Sequence, residues 1–250
     1  MGASALLVLA LAFAFPNEQG THLLATGQIT APESLHAGFC TGGRQVRVEF
    51  ERRQPEGRTG PGRQSAQDFA NVPGAVFRIA DGSVNAGAAC IVADEAFFAG
   101  AKPFPLKRPP EASRCPKALY PEFQADKGRP VVACWPIAES TAGVQVAVIE
   151  FSRRLNNALA SLVVVDGDRR MYVDYPATFR GPGTDLWRAD DGGEIHAEGF
   201  EVVCLLKRGT TYLLAIDWKG AEGSALSLHA ADSAGQFDEL LTDSWYRSPL

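Results

Sequence analysis

Between Val144 and Ala231 the chain sets apolar residues at every second position, in short runs separated by turn residues. A period of two is the period at which strand side chains alternate between faces, so this pattern restricts the fold to antiparallel sheet more than any other feature. Val144, Val146 and Val148 alternate with Gln145, Ala147 and Ile149 in a strand that runs on to Phe151. Residues 159–165 and 170–175 flank Asp166-Gly167-Asp168, and residues 200–206 and 211–218 flank Lys207-Arg208-Gly209. Both arrangements read as hairpins. Tyr212, Leu214, Ile216 and Trp218 share one face, and Leu226, Leu228 and Ala230 add a further strand, which completes a meander.

The first half carries the same signs less regularly. Val46, Val48 and Phe50 alternate with Arg47 and Glu49, residues 75–80 end on Asp81-Gly82, and residues 90–92 and 131–137 read as buried strands. Helix signals are few. Residues 116–126 allow a short helix that Pro121 interrupts, and residues 237–245 fit either a closing strand or a helical turn. The segments 52–64 and 102–112, rich in proline, read as surface loops. The fold class that follows is mainly β, an antiparallel β-sandwich or barrel-like structure with little helix.

At the N-terminus, residues 5–15 (ALLVLALAFAF) form an uninterrupted apolar run. It is shorter than the ~20 residues a membrane span needs and matches the hydrophobic region of a signal peptide. Ala12-Phe13-Ala14 supplies the small-x-small cleavage pattern, although no Lys or Arg precedes the run. The competing reading is a buried first strand or helix of the mature fold. The expected organisation is a signal peptide over 1–14, an N-terminal extension over 15–44 and a β-rich domain over 45–250. Any division into two subdomains is expected near 139–143. The expected location is secreted or periplasmic, with no membrane span after signal removal.

Five cysteines fit that location, where disulfides are the default state. Cys204 alternates with Phe200, Val202 and Leu206 on an apolar face and is the expected free thiol. The other four allow three pairings, of which Cys40–Cys90 and Cys115–Cys134 are favoured. Cys134 also reads as a core residue of the 131–137 strand.

A net charge of -5 without a basic cluster argues against nucleic acid. Nucleophile-elbow, zinc-protease, phosphate-loop and dinucleotide signatures are absent from the sequence. The densest polar segment is 184–198, with Asp185, Asp190, Asp191, Glu194, His196 and Glu198 around Gly192-Gly193. Oxygen donors on a glycine-rich loop suit calcium, though the spacing is not that of an EF-hand. The same groups suit an acid/base pair. Trp187, inside this segment, and Trp245 are the indoles best placed for exposure, whereas Trp218 and Tyr212 read as core. His229 alternates with Ser227 and Ala225 and reads as solvent-facing.

The candidate ligand-binding residues are Trp187, Asp190, Asp191, Glu194 and His196. The expected function is a non-catalytic binding or envelope-associated module for an extracytoplasmic protein or glycan. The alternative is an extracytoplasmic hydrolase with an acidic site over 185–196. A hydrolase brings two or more of Asp185, Asp190, Glu194 and His196 together in a cleft, whereas a module presents a shallow face with accessible aromatic rings.

Overall fold

The computed structural model describes residues 11–58, 62–178, 187, 193–231 and 235–247. They fall into two compact units, Met1–Ala101 and Lys102–Leu250. The boundary is not near 139–143, because those residues turn one strand into the next within the second unit. The fold is mainly β with antiparallel sheets, as the alternation requires.

In the first unit, β1 (Leu11–Pro16), β2 (His22–Ala25), β3 (Ala37–Cys40), β4 (Arg44–Gln54), β5 (Gly74–Ile79) and β6 (Cys90–Ala93) close into a barrel. The order is β1-β2-β5-β4-β3-β6, with β6 returning to β1. Closure leaves no free edge, which a small sheet otherwise has to protect. Val46 and Val48 point inward from β4 while Arg47 and Glu49 meet solvent. Residues 52–54, expected in a loop, continue this strand.

Residues 11–15 of the N-terminal apolar run enter this barrel. Leu11, Ala12, Phe13 and Ala14 pair with β6, and Phe15 and Pro16 pair with β2. Residues 15–44, expected as an extension, supply the end of β1 together with β2 and β3. The alternation inside the run carries this outcome. The small side chains of Ala12 and Ala14 fit the narrow interior, while Phe15 packs edge-on against Phe69 outside it. Both faces are buried, so hydropathy alone does not separate such a strand from a leader peptide. A short helix, α1 (Glu95–Phe98), follows β6; the Asp94 side chain caps it by accepting from the Phe97 N–H at 2.7 Å. Phe98 meets Phe39 edge-on.

The second unit is a sandwich. Its first sheet runs β12-β11-β10-β9-β8, from β8 (Leu106–Lys107), β9 (Val131–Ser140), β10 (Gln145–Arg154), β11 (Asn157–Asp166) and β12 (Arg169–Thr178). The second runs β16-β15-β14-β13-β7, from β7 (Lys102–Pro103), β13 (Phe200–Arg208), β14 (Thr211–Lys219), β15 (Gly223–Ala231) and β16 (Phe237–Tyr246). Val146, Val148, Leu162, Phe200, Leu214 and Ile216 meet in one core. The expected hairpins are present, and residues 237–245 resolve as a strand. The second helix, α2 (Tyr120–Lys127), lays Phe123 on the other face of the first sheet, against Ile149 and Phe151. Pro121 lies in the first turn of this helix and so begins it instead of interrupting it.

Two side chains stand on the opposite face from the one their spacing suggests. A β-bulge between Val202 and Cys204 shifts the parity of β13, so Leu205, not Cys204, joins Phe200 and Val202 in the core. Cys204 remains buried and free, opposite Ala215. His229 lies opposite Leu214 in the adjacent strand and is buried, not solvent-facing.

Both favoured disulfides are formed. Cys40–Cys90 ties β3 to β6 across a separation of 50 residues, and Cys115–Cys134 spans 19. Loop-closure entropy gives them about 4 and about 3 kcal/mol of stability respectively.

Candidate ligand groove at Trp135

The Cys115–Cys134 bridge sets two neighbours side by side. Arg114 precedes one cysteine and Trp135 follows the other, and the Arg114 guanidinium lies 5.6 Å from the centre of the Trp135 ring. The Cys115 N–H also donates to the Cys134 carbonyl at 3.1 Å. Trp135 is half-buried, packed against the sandwich core, while Arg114 is exposed. Together with Arg108, Glu111, Ile137 and Glu198 they line an open groove of about 300 Å³. Arg108 donates to the Glu198 carbonyl at 3.0 Å, which joins the proline-rich 108–111 stretch to the turn that leads into β13. Prolines at 109, 110 and 136 stiffen its walls, because each fixes its own backbone φ.

Two further grooves have different chemistry. One of about 430 Å³ on the barrel is lined by His36, Gln45, Arg47, Asp81 and Glu95. One of about 470 Å³ on the sandwich contains Lys127 and Arg170, but these cations are already engaged. Arg170 donates to Asp126 and Glu122, both at 2.6 Å, and Lys127 donates to Asp174 at 2.7 Å. The Tyr172 hydroxyl also donates to Asp126. Despite the opposing effect of burial, the bonds from Arg170 and Tyr172 hold the Asp126 carboxyl below the usual range. This network fastens α2 to β12 and leaves no free cation for a ligand among the residues named.

The residues expected from sequence are distributed differently. Trp187 is half-buried: its indole N–H donates to the Tyr175 carbonyl at 2.9 Å and its ring packs against the sandwich core. Trp245 is buried rather than exposed. Glu194 is exposed, and the His196 imidazole stands 3.7 Å from the Glu198 carboxylate. Asp185, Asp190 and Asp191 lie outside the described residues. Among the described residues no three His, Cys, Asp or Glu side chains gather as a metal site. The calcium reading rests on the segment outside the description.

Glu194 does acquire an unanticipated neighbour. Glu150, on β10, is half-buried between Ala133 and Ala160 of the flanking strands. Burial pushes its carboxyl above the usual range, with Arg153 opposing and the Glu194 charge adding to the rise. Arg114 and Arg108 were missed, and Trp135 was ranked below Trp187 and Trp245 among the tryptophans of a possible ligand platform, because each reads as strand or loop in isolation. The usable signal was the favoured cysteine pairing, which makes Arg114 and Trp135 neighbours before any fold is known. Compared with protein-family models, curated proteins and solved structures, the chain matches none.

Proposed function

We propose that the protein is an exported, non-catalytic binding module whose ligand surface is the groove at Trp135. The observation that carries this reading is a half-buried indole in the wall of a groove, with an exposed guanidinium over its ring, next to a disulfide. Aromatic rings with a few directed polar groups are the usual composition of a ligand site, and a site on rigid strands keeps its shape. Two disulfides support an oxidising compartment. Because Leu11–Pro16 is a barrel strand, export in folded form requires processing that retains Leu11 onward.

A hydrolase is the second reading, favoured by one observation. A half-buried carboxyl whose pKa is raised by burial, with the Glu194 charge adding to the rise, fits the general acid of an acid/base pair.

The two readings separate in one set of measurements. Binding to envelope glycans and proteins is compared for the wild type, Trp135→Ala and Glu150→Gln, with circular dichroism as the folding control. The module reading expects Trp135→Ala to weaken binding by about tenfold or more, the scale of a lost aromatic anchor, and Glu150→Gln to bind as wild type. Unchanged binding by Trp135→Ala overturns it. Turnover of a glycoside or ester that Glu150→Gln abolishes establishes the hydrolase instead.

A further inference from the structure

Building on the binding-module reading, we propose that the groove at Trp135 takes a carboxylated saccharide, with a sugar ring over the indole and its acid group on Arg114 and Arg108. Arg114 donates to its neighbour's carbonyl at Ser113, Arg108 to that of Glu198, and among the described residues neither meets a carboxylate. Two guanidinium forks are thus left on the rim of one groove. A planar fork matches a carboxylate through two parallel hydrogen bonds, which a lysine does not reproduce.

The other lining groups narrow the ligand further. Glu111 and Glu198 stand in the same groove, and carboxylate oxygens accept hydrogen bonds. They suit hydroxyl donors and repel a ligand dense in charge, such as a polyphosphate. A sugar acid meets both demands, with one negative charge and several hydroxyls per ring. The part of the half-buried Trp135 ring that the offset Arg114 guanidinium leaves uncovered supplies an apolar surface for the C–H side of a pyranose. A volume of about 300 Å³ lies at the small end of ligand pockets, fitting a short stretch of a longer chain.

A peptide is disfavoured by the strand edge beneath. An extended peptide binds an edge strand through backbone hydrogen bonds. On β9 the Cys134 carbonyl is already taken by the Cys115 N–H, and Pro136 has no N–H to offer.

The test is calorimetric titration of the full chain with trisaccharides of galacturonic, glucuronic and mannuronic acid, their neutral counterparts, and hexaglutamate. At least one acidic trisaccharide is expected to bind about tenfold or more tightly than its neutral counterpart, with affinity falling as salt is raised. Arg114→Ala and Trp135→Ala are expected to abolish that preference or the binding itself. Arg114→Lys, which keeps charge but loses the fork, is expected to fall between wild type and Arg114→Ala. Neutral sugars binding equally well, in a Trp135-dependent way, overturn the acid preference and leave the module reading standing. Hexaglutamate binding without any sugar overturns the saccharide and likewise leaves the module. Binding of nothing in the set, or binding indifferent to Trp135, overturns both.

Discussion

A chain that begins at Phe15 is expected to lose the barrel, whereas a chain that begins at Leu11 is expected to keep it. Removal of residues 1–14, as a signal peptidase acting after Ala14 would achieve, takes away four of the six residues of β1. Those four make every pairing between β1 and β6. Phe13 and Ala14 are fully enclosed, and Ala12 nearly so. Truncating one buried phenylalanine costs about 3–5 kcal/mol by itself. The same cut opens the barrel and leaves the free side of β6 without its backbone partners. Against a typical total of about 5–15 kcal/mol for a domain, a loss of this order removes the folded state. Amide hydrogen exchange separates the two units: protection on β4 and β6 is expected to vanish in the chain starting at Phe15, while β10 and β14 of the sandwich stay protected. Equal protection of β6 in the two chains overturns the expectation. N-terminal sequencing of natural material is the companion test. A folded product starting at Phe15 would show that β1 is dispensable.

The β-sandwich was legible because its hairpins state themselves twice. Asp166-Gly167-Asp168 and Lys207-Arg208-Gly209 each combine a turn signal with alternating runs on both sides; the turns themselves are Gly167-Asp168 and Gly209-Thr210, while Asp166, Lys207 and Arg208 still pair in the strands. What was not legible shares one physical cause. Alternation identifies the core only when one face of a strand is wet. β1, β13 and β14 are buried on both faces, so their spacing marks two faces without saying which is the interior. A single bulge then suffices to move Cys204 across the sheet, and β1 resembles a leader peptide. The candidate site failed differently. Residues 184–198 were conspicuous because their polar groups are close in sequence. The groove instead joins side chains drawn from segments 108–114, 135–137 and 197–198, which only the disulfide and the sandwich bring together.

His229 is the residue through which acid is expected to weaken the sandwich. It is enclosed near Phe237, and neither of its ring nitrogens has a hydrogen-bond partner. Burial lowers its pKa to about 4, against the 6.5 of the unfolded chain. The unfolded state therefore takes up the proton first as pH falls. The stability associated with the neutral imidazole is complete above pH 6.5 and is lost progressively down to about pH 4, at a total of about 3 kcal/mol. Asp217 acts in the opposite sense. Its carboxylate is buried, and burial raises its pKa against the pull of Arg247, whose guanidinium stands 3.9 Å away, and of the Ser224 hydroxyl. Protonation relieves that burial, so Asp217 gives back stability as pH falls from its raised pKa towards the ordinary carboxylate value. Asp126 and Asp166, both held low by hydrogen bonds, add their losses only below the usual carboxylate range. Urea unfolding between pH 7 and pH 4.5 is expected to show the sandwich losing stability in the wild type. His229→Leu, which replaces an unpartnered polar ring by an apolar side chain, is expected to be no less stable at pH 7 and to abolish the loss. A His229→Leu protein with the wild-type slope would mean that the imidazole is not the group that acid charges.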